Sequence, residues 1–256
     1  MRIARFTTGE DPRFAVVEGE PGQETLAVVA GDPLVSATPF TGERIPLDRT
    51  RLLSPVLPRS KVIAVGGNYS HAPDAAPVAR DLQAFLKPNT SVVGPDDPVV
   101  LPSWSSEIHC EGELAVVIGR ICRDLPRHRV PEVVVGYTCA NDVTARDRQD
   151  EAGQSWRAKG ADTFCPLGPF LVTDLDPSDL RVRTRVGGRT VQDGRTSSML
   201  RDVADLICHV SAAMTLLPGD VVLTGTPVPS APLSAGRRVE IEIEGIGILS
   251  NPVVVR

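Results

Sequence analysis

The chain of 256 residues is long enough for one large domain, or for a main domain with a small appendage. Hydrophobic residues make up 41% of the chain and charged residues 23%, which is ordinary for a soluble globular protein. The formal net charge of -5 leaves no basic surface for binding nucleic acid or an anionic membrane.

The apolar segments and the cysteines exclude further classes. No apolar run approaches the roughly 18 residues of a membrane-spanning helix, and the N-terminus leads into polar sequence instead of a signal-peptide core. A cytoplasmic location is therefore predicted. The five cysteines are odd in number and form no Cys-x-x-Cys pair, which argues against a disulfide framework and a structural zinc site.

Short strands separated by turn clusters are predicted in the N-terminal region, at residues 2–6, 13–17 and 25–29. This pattern favours a small β-rich N-terminal lobe, residues 1–58, ahead of a larger domain, residues 59–256. The alternative is that the same strands extend the main sheet.

The next predicted strand, Lys61–Val65, runs into a glycine-containing loop that carries His71 and Asp74. On a helical turn, side chains three residues apart are neighbours, so the carboxylate can orient the imidazole as a general base. A surface hydrogen bond without a catalytic role is the alternative interpretation of this pair.

Glu111 and Glu113 are the strongest chemical signal in the chain. They precede the apolar run Leu114–Ile118, which predicts a strand, and residues two apart in a strand share a face at roughly 7 Å spacing. Ala115 and Val117 lie on the same face, which is therefore partly apolar. Two carboxylates on such a face repel each other unless a cation lies between them, and a hard divalent cation prefers oxygen ligands.

A second apolar strand, Val133–Thr138, ends shortly before Asp142, at a position where ligands are often found. Thr144 is a plausible N-cap and predicts a helix start, which makes a turn or capping role the alternative for Asp142. Lys159 follows in an irregular stretch, where most lysines project into solvent. A hairpin is predicted over residues 181–192.

The principal helix is predicted at Ser197–Leu217, because apolar side chains recur there at intervals of three and four residues. A strand at residues 221–224 then leads to a turn of Gly225 and Thr226, whose backbone amides and hydroxyl can hold a carboxylate or carbonyl oxygen. The segment Val239–Glu244 alternates throughout, so its glutamates are predicted to face solvent.

Four motifs in this order resemble the fumarylacetoacetate hydrolase family. They are Glu111-Gly-Glu113-Leu-Ala-Val-Val-Ile-Gly, Gly136-Tyr-Thr-Cys-Ala-Asn-Asp142-Val-Thr-Ala-Arg-Asp147, Lys159-Gly-Ala-Asp-Thr-Phe-Cys-Pro-Leu-Gly-Pro and Gly219-Asp-Val-Val-Leu-Thr-Gly225-Thr226-Pro. The resemblance extends from about residue 61 to the C-terminus and includes acylpyruvases and oxaloacetate decarboxylases. It implies an α+β, β-rich fold, a roll of mixed sheets with a few packed helices, usually assembled as a homodimer.

The resemblance also implies which residues bind the metal and the substrate. A divalent metal, normally Mg²⁺ or Mn²⁺, is held in the family by two glutamates and an aspartate, which are here Glu111, Glu113 and Asp142. A carboxylate substrate or its developing anion is held by the counterparts of Lys159, Gly225 and Thr226, and Gln149 assists.

By position, His71 and Asp74 correspond to the family's histidine and acid pair, which activates water or moves a proton. The loop after Pro227 reads Val-Pro-Ser-Ala-Pro where relatives commonly carry glycines, and the pair itself departs from the family pattern in two ways. Only Ser70 separates Tyr69 from His71, where relatives usually have two residues, and Asp74 stands where they carry a glutamate.

Three functions are compatible with these residues. The leading hypothesis is hydrolysis of a carbon–carbon bond in a 2-oxo or 1,3-dicarbonyl acid of the acylpyruvate type, through an enolate stabilised by the metal. The first alternative keeps the metal but needs no activated water: decarboxylation or tautomerisation of an oxo acid such as oxaloacetate. The second alternative is a non-catalytic binding module that retains the fold.

Overall fold

The computed structural model describes residues 1–69, 83–149 and 156–256. The described chain consists mainly of β-strands, in chain order β1 Arg2–Thr7, β2 Arg13–Glu18, β3 Thr25–Val29, β4 Phe40–Pro46, β5 Arg51–Leu53, β6 Val62–Gly66, β7 Gln83–Lys87, β8 Val92–Val93, β9 Val99–Leu101, β10 Ile108–Cys110, β11 Gly112–Ile118, β12 Val134–Asn141, β13 Thr144–Ala145, β14 Cys165–Val172, β15 Arg181–Val186, β16 Arg189–Arg195, β17 Val221–Leu223, β18 Ala231–Pro232, β19 Arg238–Ile243 and β20 Gly247–Val255. The α-helices are α1 Val130–Val133, α2 Trp156–Lys159 and α3 Val203–Ala213.

The strands form mixed sheets. The largest has the order β4-β3-β2-β1-β14-β12-β11-β17-β6-β7, with β5 beside β1 and β8 beside β14. Smaller sheets have the orders β16-β15-β19-β20-β9 and β13-β10-β18. Most neighbours are antiparallel, whereas β17 with β6, β14 with β8 and β20 with β9 are parallel. The α+β, β-rich class predicted from the sequence is confirmed.

The N-terminal strands β1–β5 belong to the large sheet. Strand β1 pairs with β14, with Arg2 opposite Val172 and Ile3 opposite Leu171. Strands β2–β4 then continue the sheet outwards from β1. The domain boundary near residue 58 stays a prediction.

Strand β11 lies at the centre of the large sheet and is buried along its whole length. Leu114 and Val116 point to the core cluster that includes Ile207 of α3, whereas Ala115 and Val117 point to a separate apolar cluster on the opposite side. A strand covered on both faces carries apolar residues in a continuous run instead of alternating. The face that carries Glu113 is therefore buried, as the sequence predicted.

The principal helix is shorter than predicted. Instead of Ser197–Leu217, the α-helix covers only Val203–Ala213, and it begins where the side chain of Asp202 caps its first turn. Met199 precedes the helix and forms an isolated β-bridge with Tyr69. The apolar periodicity continues outside the helix because the flanking residues also pack on the core, so periodicity alone overestimates its length.

Two further predictions are confirmed by the described residues. Strands β15 and β16 form the predicted hairpin, and Gly187 and Gly188 at its turn both have positive φ angles. In β19 the aliphatic side chains are buried while Glu240 and Glu242 are partly exposed.

All five cysteines are free, and four of them are buried. No helix within the three described ranges is long and apolar enough to cross a membrane.

Candidate metal centre and substrate pocket

The carboxylates of Glu111, Glu113 and Asp142 meet at one buried point. Each offers an oxygen that lies within 4.8 Å of the others. The antiparallel register of β11 and β12 places Gly112 opposite Asn141, and the backbone N–H of Asp142 donates to Glu111 O at 2.9 Å. The pairing of these two strands therefore brings the glutamate pair to an aspartate about thirty residues further along the chain.

Glu113 has an unusual electrostatic environment. It is 2% exposed, and its Oε2 accepts a hydrogen bond of 2.7 Å from the backbone N–H of Gly225. Among the described residues it forms no ion pair. Burial raises the pKa of Glu113 well above its ordinary value, and the nearby charges of Asp142 and Glu111 raise it further. Burial and these charges therefore favour the protonated form of Glu113 over a wider pH range than that of an exposed glutamate.

Lys159 is buried in the cluster and does not project into solvent, although it lies in a segment that the sequence alone reads as irregular. Its Nζ donates to Asp142 Oδ2 at 2.7 Å and also to Glu111 Oε2. Burial by itself lowers the pKa of Lys159, but the two carboxylates outweigh it and raise the pKa, so the ammonium stays charged. It lies 5.2 Å from the ring centroid of Phe85, a cation–π distance.

Lys87 was not identified from the sequence. It ends β7, is 1% exposed, and donates from Nζ to Asp142 Oδ1 at 2.5 Å and to the backbone oxygen of Lys159. Burial by itself raises the pKa of Asp142, but the charges of Lys159 and Lys87 outweigh burial and lower this pKa. The available signal was a lysine inside the apolar run Phe85-Leu86-Lys87-Pro88, because a buried lysine is almost always paired.

The segment after Asp142 was also predicted incorrectly. Thr144 does not cap a helix, because Thr144–Ala145 is the short strand β13 and a single 3-10 turn follows. Its hydroxyl instead lies 3.1 Å from Glu111 Oε2 and 3.0 Å from the backbone oxygen of Asp142. Pairing with β10 holds the segment extended, so the local capping signal is overridden by a tertiary contact.

Arg146 follows on that turn and connects the cluster to the pocket wall. Its Nη2 donates to Glu111 Oε1 and, at 2.8 Å, to Ser230 Oγ, and its Nη1 donates to Gln149 Oε1 at 2.7 Å. Gln149 was predicted as a site residue from the sequence, whereas Arg146 was not. The guanidinium presents a positive charge to the pocket beside the carboxylates.

Gly225 and Thr226 come directly after β17, which is hydrogen-bonded to β11. The φ angle of Gly225 is +92°, and a Cβ on it would lie 3.2 Å from the backbone oxygen of Val65. The turn therefore requires glycine. The hydroxyl of Thr226 donates to Gly112 O at 2.8 Å, so it braces the turn between the two glutamates.

These side chains surround one pocket of about 830 Å³. Its wall includes Tyr69, whose buried hydroxyl has no hydrogen-bond partner among the described residues. Burial and the charge of Glu113 raise the pKa of Tyr69, so the hydroxyl keeps its proton and can donate to a ligand oxygen. His71 and Asp74 lie outside the described residues.

Comparison with known proteins identifies the family. The model of the fumarylacetoacetate (FAA) hydrolase C-terminal domain matches residues 61–254, and an Rv2993c-like N-terminal domain matches residues 1–55. The chain belongs to the fumarylacetoacetate hydrolase family. The roll of mixed sheets described above is accordingly the fold of this family.

Similar proteins carry several activities within the family. A crystal structure of 5-carboxymethyl-2-hydroxymuconate delta-isomerase from Mycobacterium smegmatis is 50% identical, covers 100% of both chains and superposes with a TM-score of 0.93. The human mitochondrial oxaloacetate tautomerase FAHD2A is 41% identical over 92% of this chain and 78% of its own length. A maleylpyruvate hydrolase from Sphingobium sp. SYK-6, in complex with manganese(II) and pyruvate, is 33% identical, covers 100% of this chain and 99% of its own, and has a TM-score of 0.81.

The residues of this chain fit a divalent cation. Three clustered carboxylates offer hard oxygen ligands, which Mg²⁺ and Mn²⁺ prefer. Lys87, Lys159 and Arg146 already pair with Glu111 and Asp142, so the charges of those two carboxylates do not by themselves require a metal. Glu113 provides the stronger argument, because in the described chain this third carboxylate accepts from a backbone N–H but forms no ion pair.

Metal affinity is expected to keep rising as the pH increases above the ordinary pKa of a glutamate carboxyl group. In the metal-free protein the pKa of Glu113 is raised above 4.5, and only the deprotonated carboxylate is a ligand, so cation binding must release its proton. Calorimetric titration with Mn²⁺ in two buffers of different ionisation enthalpy measures that release. An affinity that does not change as the pH rises above 4.5 would contradict the prediction.

Proposed function

We propose that the protein is a divalent-metal-dependent isomerase that interconverts keto and enol forms of a 2-oxo dicarboxylic acid. The observation that carries this proposal is the buried cluster of Glu111, Glu113 and Asp142 at a pocket that also presents Lys159 and Arg146. Carboxylates that hold a metal, beside fixed positive charges, suit a substrate that is a dianion and becomes more electron-rich at one oxygen during the reaction. The isomerase and tautomerase activities named for the similar proteins support the same choice.

Glu111, Glu113 and Asp142 would hold the cation. When bound, it would withdraw electron density from the oxygens of a 2-oxo acid and so favour the enolate form. Gly225 orients the carboxylate of Glu113 through its backbone N–H. Lys159, held between Glu111 and Asp142, keeps a positive charge beside the place where negative charge develops.

A group in the pocket wall can stabilise the oxygen at which the enol proton is gained or lost. Tautomerisation moves one proton between the carbon next to the 2-oxo group and the 2-oxygen. Tyr69 carries a buried hydroxyl that retains its proton and can donate at an oxygen of the substrate. Arg146 and Gln149 can orient the second carboxylate, because both line the pocket and are bonded to each other.

Hydrolysis of an acylpyruvate-type substrate is the second candidate. It is favoured by the likeness to maleylpyruvate hydrolase and by His71 and Asp74, which the family resemblance assigns to water activation. Both candidates use the same metal centre and differ in whether water is activated. Oxo-acid decarboxylation uses the same enolate and is distinguished by the carbon dioxide it releases.

The assay that tests the proposal follows the absorbance of the enol form of oxaloacetate with purified protein, with Mg²⁺ or Mn²⁺ and with a chelator. We expect the metal-loaded protein to accelerate enol-to-keto conversion. The variant His71→Ala should lower the rate of this conversion less than it lowers the rate of any acylpyruvate cleavage. Cleavage of acylpyruvates into two acids, without acceleration of tautomerisation, would replace the isomerase by the hydrolase. Inactivity of the metal-loaded protein on the whole panel would favour a binding module.

The assembly and location are predictions that rest on the sequence alone. The family resemblance implies a homodimer, and the net charge predicts neither a nucleic-acid nor a membrane partner. A cytoplasmic location also stays a prediction.

A further inference from the structure

Gln192 on β16 is buried behind the pocket and contacts it through the loop Thr226–Ser230, here called the wall loop. Its Nε2 donates to Thr226 Oγ1 at 2.7 Å and to the backbone oxygen of Pro227, and lies 3.4 Å from that of Pro229. Because the carbonyl oxygens can only accept, the amide nitrogen must face the wall loop. Oε1 then faces Thr184, whose hydroxyl donates to it at 2.6 Å.

Gln192 and Thr184 also pack against Gly112, the residue between the two glutamates. A Cβ on Gly112 would lie 2.3 Å from Thr184 Oγ1 and 2.9 Å from Gln192 Oε1, so only glycine fits between Glu111 and Glu113. Thr226 completes the connection, because it accepts from Gln192 and donates to Gly112 O. A continuous hydrogen-bonded path therefore joins β15, β16, the wall loop and the glutamate turn.

The wall loop also rests directly on β16. A Cβ on Gly194 would lie 2.5 Å from Pro227 Cβ, and Gly194 shares a strand face with Gln192. Pro227 and Pro229 have no N–H groups, so a neighbour can hold this part of the wall loop mainly through its carbonyl oxygens. Gln192 offers the matching donors.

We propose that Gln192 is a positioning residue that sets the pocket wall relative to the metal-binding turn and thereby determines substrate affinity. This inference rests on the proposed function, since the wall loop matters only if the pocket takes a substrate. Thr226, Val228, Pro229 and Ser230 line the pocket, whereas Gln192 acts through them. Its loss leaves the hydrogen bond from Gly225 to Glu113 in place, so the metal site stays formed.

The test compares Gln192→Met, Thr184→Val and Gly194→Ala with the wild-type holoenzyme. Each is expected to raise the KM for oxaloacetate about 10-fold while changing kcat and Mn²⁺ affinity by less than about 3-fold. Hydrogen exchange at the amides of Val228 and Ser230 should accelerate in the same variants. Thr184→Ser keeps the donating hydroxyl and should restore wild-type values.

Thr196→Val is the matched control. Thr196 directly follows the same hairpin, and its buried hydroxyl accepts from the N–H of Leu180 at 2.7 Å. Removing this hydroxyl should lower the melting temperature without raising KM. Unchanged KM and unchanged exchange in Gln192→Met would overturn the positioning role. If the wild type fails to turn over oxaloacetate, but exchange still accelerates in Gln192→Met, the proposed function is wrong and the positioning role stands.

Discussion

Replacing Glu113 by glutamine is expected to remove metal binding and turnover without destabilising the metal-free protein. The substitution removes one of three clustered carboxylates that could hold the metal, so Mn²⁺ affinity should fall by more than about 100-fold, since loss of an outer-shell partner alone costs about 10–100-fold. Turnover should fall by at least about 10³-fold, the scale of losing one stabilising group at a developing charge. The glutamine Oε1 can still accept from the N–H of Gly225.

The stability of this variant depends on pH in a defined direction. The pKa of Glu113 in the folded metal-free protein lies above its ordinary value of 4.5. The stabilising contribution of its carboxyl group is therefore complete below pH 4.5 and is lost as the pH rises through the folded-state pKa. Glutamine does not titrate. The free energy of unfolding of Glu113→Gln, relative to that of the wild type, should therefore increase as the pH rises from 4.5 through the folded-state pKa of Glu113.

Urea unfolding in the presence of a chelator at a series of pH values, together with Mn²⁺ titration, measures both effects. Glu240→Gln, on the partly exposed face of β19, is the control and should change neither quantity. Retained metal affinity in Glu113→Gln would remove this residue from the ligand set. A large loss of stability at neutral pH would show that the carboxylate is structurally paired.

Lys159→Met is expected to lower both activity and stability, and Mg²⁺ is expected to restore part of the stability. The ammonium is 4% exposed and pairs with Glu111 and Asp142. Removing one partner of a buried ion pair leaves uncompensated charge and costs about 3–5 kcal/mol, equivalent to a fall of about 6–20 °C in melting temperature for a chain of this size. A divalent cation returns positive charge to the same carboxylates, so its stabilising effect should exceed that in the wild type.

Lys61→Met is the matched control for this prediction. Lys61 pairs with the buried Asp220 at 2.6 Å, and the two residues directly precede β6 and β17. It should lower the melting temperature without any additional response to Mg²⁺ and without loss of turnover. Equal shifts by Mg²⁺ in Lys159→Met and the wild type, measured by scanning calorimetry, would separate Lys159 from the metal centre.

Much of the fold could be predicted from local patterns. The first three strands and the central strand β11 agree with the sequence prediction to within a residue or two, because strand periodicity and turn residues are local signals. The failures occurred where tertiary contacts override those signals. Helix α3 is shorter than its apolar stripe, and Thr144 forms a strand because β10 pairs with it.

The chemical character of the site was also visible in the sequence. The common parity of Glu113, Ala115 and Val117 predicted carboxylates on a buried face, and the strand is indeed buried on both faces. Lys87 was missed although it lies in an apolar run, and Gln192 was missed because nothing in its immediate neighbours distinguishes a buried glutamine from a solvated one. Their roles depend on contacts with residues 55 and 34 positions away, at Asp142 and Thr226.

The sequence by itself determined the three carboxylates, the strands on or beside which they lie and the family. The tertiary structure decided how their charges are balanced. Lys159 and Lys87 pair with Asp142, whereas Glu113 accepts from the N–H of Gly225 and forms no ion pair among the described residues, because β17 lies beside β11. Desolvation and the distances between charges depend on strand order and packing, and local periodicity carries no information about either.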